Sequence, residues 1–130
     1  MAVELNHLVI VTRDNREGAT FMADILGLEV GPAMGPFLPI EMSNAVTLDF
    51  FTREGHHEEV AHDAFLVSDE EFDHGMERLE ALGVTYFPTP WMDPPGEINH
   101  NDGGRGVYFL DPTGNTMELI TTPYGTPAPQ

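Results

Sequence analysis

Four side chains in this sequence are of types that bind divalent cations, and they recur in a common frame. His7 and His62 each begin an apolar run, while Asp49 and Glu118 each sit inside a run of β-type residues. Imidazole and carboxylate are the donor set of borderline divalent ions, and two histidines with one or two carboxylates leave positions open for water or substrate. Taken singly, a histidine beside an apolar run is more often a satisfied core or surface residue. The repetition changes that. His7 precedes Gly27 by 20 positions and His62 precedes Gly83 by 21. Thr47-Leu-Asp-Phe50 lies over Thr116-Met-Glu-Leu119 as Thr, apolar, carboxylate, apolar, so Asp49 corresponds to Glu118 and His7 to His62. A pseudo-twofold relating two such repeats would bring all four side chains into one cleft.

The elements that must position them follow from periodicity. Val3 to Thr12 has the composition of a strand, Asp14 or Asn15 offers a helix cap, and Phe21, Met22, Ile25 and Leu26 recur at helical spacing up to Gly27. Leu28 to Gly31, Phe37 to Met42 and Ala45 to Phe51 read as three strands, so the first half is βαβββ. Thr52 to Glu59, with His56 and His57, is polar and aperiodic and reads as a linker. The pattern then restarts: a strand over Val60 to Val67, Ser68 and Glu71 as a capping box, a helical stripe of Phe72, Met76, Leu79 and Leu82 ending at Gly83, and a short strand at Val84 to Phe87. After a loop from Pro88 to Arg105, the strands Gly106 to Leu110 and Asn115 to Thr121 flank Asp111-Pro-Thr-Gly114, whose Pro and Gly suit a hairpin turn. In the second of these strands Thr116, Glu118 and Ile120 share one face. A carboxylate among apolar neighbours there needs a partner. The expected fold class is α+β: two tandem βαβββ modules, residues 3–51 and 60–122, within one domain spanning residues 1–130.

This arrangement resembles the vicinal oxygen chelate superfamily, which includes glyoxalase I, extradiol dioxygenases, and the bleomycin and fosfomycin resistance proteins. The residues that carry the resemblance are NHLVIVTRD at the start, the repeated helix within HDAFLVSDEEFDHGMERLEALGV, and GGRGVYFLDPTGNTMELIT near the end. It implies a cup-shaped mixed sheet with helices on its outer face, surrounding one divalent ion (Fe, Mn, Ni or Zn). His7, His62, Glu118 and Asp49 take the ligand positions. Asp49 departs from the pattern, since glyoxalase I-like members place Glu there and Asp is shorter by one methylene. With Asp49 the site is a neutral four-ligand set suited to lyase or isomerase chemistry, with Glu118 or His100 moving a proton. Without it the site is the two-histidine, one-carboxylate triad of oxygen-using ferrous enzymes. The alternative that the resemblance implies is a metal-free binding protein of the bleomycin-resistance type. Members commonly form homodimers, sometimes exchanging modules so that each site draws on two chains.

The loop before the hairpin supplies candidate substrate contacts in Asn99, Asn101 and Arg105, and a candidate acid or base in His100. Arg105 reads either as an anchor for a substrate carboxylate or enolate, or as the partner of a surface acid. His74 reads as solvated, and Trp91, Phe87 and Tyr108 as pocket or core residues.

Bulk composition excludes several classes of function. Five basic residues against 22 acidic ones give a formal charge of −17, which would repel nucleic acid and an anionic membrane surface. The absence of cysteine excludes disulfides and thiolate chemistry. No run is long and apolar enough for a membrane span, and MAVELNH lacks the features of a signal peptide, so a cytoplasmic protein acting on a small molecule is expected.

Overall fold

The N-terminal apolar run forms β1 (His7–Thr12), after which Asp14 caps α1 (Asn15–Leu26) by accepting from the Glu17 amide at 2.9 Å. Gly27 closes α1 in the left-handed region, its φ of 69° being one that an L side chain resists. The computed structural model describes residues 3–55 and 61–125. His56, His57, Glu58, Glu59 and Val60 of the expected linker and strand, and the last five residues of the tail, lie outside the described residues.

Two strands complete the first half, β2 (Phe37–Glu41) and β3 (Thr47–Thr52), in a mixed sheet of order β1-β3-β2. Leu28 to Gly31, expected as a strand, is not one. The Gly31 amide donates to the Pro39 carbonyl at 2.8 Å, but Pro39 has no N–H to return the bond, so the ladder stops at a single contact. The second half runs β4 (His62–Leu66), α2 (Asp69–Ala81), β5 (Tyr86–Phe87), β6 (Gly106–Leu110) and β7 (Thr116–Ile120), with sheet order β4-β7-β6-β5. Ser68 and Glu71 form the capping box that their spacing predicts. Sequence gave no sign of the 3₁₀ turn at Asn101–Gly103 that interrupts the long loop.

In both sheets the first strand runs parallel to the last, and β1 and β4 are both edge strands. Alternation sends one face of each sheet to the helices: Ile10, Leu38, Ile40, Leu48 and Phe50 from the first sheet, and Phe65, Val107, Phe109, Met117 and Leu119 from the second, join Met22, Ile25, Phe72 and Leu79 in one core. The other face of each sheet carries the candidate ligands. α1 and α2 meet through Arg78, which grips the Asp24 carboxylate at 3.0 Å, and through His74, whose Nε2 donates to the Asp24 carbonyl at 2.9 Å. His74 is exposed, as expected, and its imidazole is also engaged in this bond.

Gly75 lets α2 lie close to both neighbours. A Cβ there would sit 2.7 Å from Leu119 Cδ1 and 3.5 Å from the Ile25 carbonyl oxygen. Gly75→Ala gains up to about 1 kcal/mol of helix propensity. Overpacking against a fully buried Leu119 costs about 1–3 kcal/mol, so the clash wins. The expected result is a net loss of about 1 kcal/mol, read from the urea midpoint.

Candidate functional site

Register builds the site from the second sheet. His62 pairs with Thr116 and Ala64 with Glu118 across β4 and β7, so His62 and Glu118 share the face away from the helices, one diagonal step apart. His62 Nε2 stands 3.0 Å from Glu118 Oε1, and the Glu118 side chain is 14% exposed against 47% for His62. Tyr108 lies opposite Glu118 across β6 and β7, with its ring edge-on to the His62 imidazole at a centroid distance of 5.7 Å. Burial, and the phenol's hydrogen bond to the negative Glu118 carboxylate, push the Tyr108 pKa up to about 12. Tyr108 thus stays protonated and serves as a donor to Glu118.

Sequence reading left Tyr108 undecided between pocket and core. A signal was present: a hairpin that closes through Asp111–Gly114 and pairs Leu110 with Thr116 must place Tyr108 against Glu118. Counting back from the turn would have found it.

The same geometry is half repeated in the first sheet. His7 pairs with Thr47 and Val9 with Asp49, so His7 and Asp49 share a face with the same diagonal offset as His62 and Glu118. No bond joins them; His7 Nδ1 lies 2.7 Å from Asn6 Oδ1 instead. Among the described residues, no three His, Asp or Glu side chains converge on a point that could hold a metal. Within one chain the four expected ligands therefore stand as two pairs, not as one cluster.

In front of Glu118 opens a cavity of about 430 Å³, lined by Ala64, Ile120 and Tyr108 on the sheet, by Asn101 and Arg105 of the loop, and by Tyr124 beyond β7. Asn99 also lines it, but its amide is occupied: Nδ2 donates to the Pro88 carbonyl at 2.9 Å and Oδ1 accepts from the Asn101 amide at 3.1 Å. His100 is exposed and lies outside the cavity lining. The Arg105 guanidinium turns to α2, meeting Asp73 Oδ1 at 2.7 Å and Asp69 Oδ1 at 3.0 Å, and it lies over the Phe72 ring at 4.5 Å. Trp91 is exposed and belongs to neither pocket nor core.

A family model described as Glyoxalase/Bleomycin resistance protein/Dioxygenase superfamily matches residues 4–119. The solved structure named Oxidase ChaP-H2 is 49% identical, with a TM-score of 0.93, covering 97% of this chain and 98% of that one. Glutathione transferase FosA of Serratia marcescens is 29% identical over 124 residues, which is 92% of this chain and 81% of the relative. The fosfomycin resistance protein FosX of Listeria monocytogenes, solved with Mn(II) and sulfate, is 23% identical at a TM-score of 0.71, covering 95% of this chain and 94% of that one. At that identity the likeness bears on the fold alone. No helix among the described residues is long and apolar enough to cross a membrane.

Proposed function

The chain belongs to the Glyoxalase/Bleomycin resistance protein/Dioxygenase superfamily, and from that premise we propose that it is a divalent-metal-dependent oxidase or dioxygenase acting on a small oxygenated organic molecule. The observation that carries this reading is the His62–Glu118 pair, 3.0 Å apart, with Glu118 on the wall of a cavity of ligand size. The 49% identity to a protein named an oxidase favours oxygen chemistry over lyase or transferase chemistry.

His62 Nε2 and Glu118 Oε1 are donors of the right kind for a borderline divalent ion, and the sheet holds them close enough to share one. Two donors do not complete a site, so His7 of a second copy is proposed as the third. Among the described residues β1 and β4 are edge strands, His7 and His62 are their first residues, and exposed Leu5, Leu8, Val9 and Leu66 lie on or beside them. A homodimer that joins these edges would cover the apolar residues and close two equivalent sites. Asp49 would then face the site from the first sheet as a fourth, longer-range carboxylate.

When bound, the ion would polarise adjacent oxygens of the substrate and, as ferrous iron, supply electrons for oxygen chemistry. The chain's own residues do the rest. Tyr108 donates to Glu118 and holds its carboxylate in place, the ring edge of Tyr108 fixes the His62 imidazole, and Ala64 and Ile120 form an apolar wall that limits water. Protein purified without an affinity tag is expected to carry near-stoichiometric divalent metal and, loaded with Fe(II), to consume oxygen in the presence of a catechol. Metal far below stoichiometry in the purified protein would overturn the reading. Ligand binding that survives a chelator unchanged would favour a metal-free binding protein instead.

A further inference from the structure

We infer that the helix-bearing surface carries a docking groove for another protein, shaped for a basic amphipathic helix whose apolar face is bordered by lysine or arginine. The groove shares no lining residue with the cavity in front of Glu118, and the inference stands apart from the proposed function.

Three chain reversals leave apolar side chains beside α1 that the core takes up only in part. Gly27 turns the chain out of α1, the Leu28 amide donates back to the Ala23 carbonyl at 2.9 Å, and the Gly31 amide is pinned to the Pro39 carbonyl. Between those two points lie Leu28, 38% exposed, and the partly buried Val30. α2 ends at Leu82, 45% exposed, before Gly83 reverses the chain at a φ of 69°. The β6–β7 turn sets Pro112 against the same space, because the Arg13 amide ahead of α1 donates to Thr113 Oγ1 at 3.0 Å. Together with Phe21, whose ring packs on Phe109, these residues wall an open groove of about 710 Å³.

Charge along the rim selects the partner. Glu17 and Asp24 stand on one stripe of α1 with Phe21 between them, at i, i+4 and i+7, and Glu29 follows past the end of the helix. Among the described residues no basic side chain lines the groove. Arg13 and Arg78 hold Glu17 and Asp24 from outside it, in pairs exposed enough to be worth little, and each carboxylate keeps acceptor capacity for a second cation. Glu29 has no partner among the described residues. α1 carries no basic residue in its last turn, so the negative end of its dipole adds to Glu29. A helix satisfies its own backbone and needs from the groove only apolar side chains and carboxylates. An added strand would need a free strand edge, which the irregular stretch from Leu28 to Gly31 does not offer. From Glu17 to Leu28 the wall runs roughly 16 Å, about three turns of a docked helix.

The test is fluorescence anisotropy of a labelled peptide, LKKLLKLLKKLLKL, and of its twin with glutamate at every lysine, each titrated with the protein. The lysine peptide should bind more tightly than its twin by about tenfold or more. Leu82→Glu makes the surface more acidic but removes an apolar contact, and should weaken the lysine peptide by about fivefold or more. Glu29→Lys should do the same, whereas Glu70→Lys, an equal change of net charge in the first turn of α2, should cost less than about twofold. Equal losses in Glu29→Lys and Glu70→Lys, or tighter binding by Leu82→Glu, would mark attraction to the acidic surface at large and overturn the inference. Failure of the lysine peptide to bind overturns it too, as does equal binding of the twin. If Leu82→Glu instead lowers the oligomeric state in light scattering, the groove belongs to a contact between copies and the inference fails.

Discussion

Glu118→Gln should strip the protein of its divalent ion and lower turnover by more than ~100-fold, a loss beyond the ~10–100-fold that changes to a ligand's hydrogen-bond partners cost. The substitution keeps the shape of the side chain but removes the charge that makes Oε1 a ligand, and it leaves His62 facing a neutral amide across 3.0 Å. His7→Ala should match it, although His7 makes no contact with either residue within its own chain and lies on a different sheet. That equality would follow only from a site shared between two copies. Mixing sharpens the point. A dimer of one His7→Ala chain and one Glu118→Gln chain rebuilds one intact site, from His7 of the second chain and His62 with Glu118 of the first. Random pairing makes half the dimers mixed, each with one of its two sites intact, so about a quarter of parental activity should return. Recovery is read by metal content and turnover after co-refolding or subunit exchange. If the mixture stays as inactive as either variant alone, the site does not span two chains.

The modules were legible because binary pattern and caps agree with each other: β1, α1 with Asp14, α2 with its Ser68 and Glu71 box, and the β6–β7 hairpin all lie where periodicity and capping chemistry put them. The His62–Glu118 pair was legible too, through the internal repeat. Leu28 to Gly31 failed as a strand because composition cannot see that its neighbour in the sheet would be Pro39, which lacks the donor a ladder needs. Arg105 was ambiguous for a different reason. Asp69 and Asp73 are spaced i,i+4 and so share one face of α2, but only the packing of the loop on that face shows the guanidinium reaching both. The separation of His7 from His62 is the deepest gap. Local pattern dictates that each module begins with an edge strand, and it does not say which chain supplies the strand beside it.

Asp111→Ala should be the most destabilising single truncation at the hairpin, by about 3–5 kcal/mol, and should lower the thermal midpoint by about 10 °C or more. Asp111 is 4% exposed, and its Oδ1 accepts from the amides of Thr113, Gly114 and Asn115 at 3.0, 2.9 and 2.8 Å, while Oδ2 accepts from Asn115 Nδ2 at 2.9 Å. Alanine leaves the half-buried Thr113 amide and the buried Asn115 amide without an acceptor and takes one of two acceptors from Asn115 Nδ2 and from the Gly114 amide, which also donates to the Asp111 carbonyl at 3.0 Å; each buried orphan costs about 1–3 kcal/mol. The damage would spread beyond the turn. Asn115, 2% exposed, also donates to the Val11 carbonyl of β1 at 3.1 Å and accepts from the Ala61 amide before β4 at 2.9 Å, so the same network ties the two halves together. Asp111→Asn keeps one acceptor for the turn amides but sets an NH₂ against Asn115 Nδ2, and should cost about half as much. Urea denaturation of the three proteins gives the order parent, Asn, Ala. A loss under 1 kcal/mol for Asp111→Ala would show that the turn holds without the carboxylate. Because this turn sets the register that puts Tyr108 and Ala64 beside Glu118, metal retention should weaken in Asp111→Ala even at temperatures where it remains folded. Stability and site geometry are thus read from one substitution that touches no ligand.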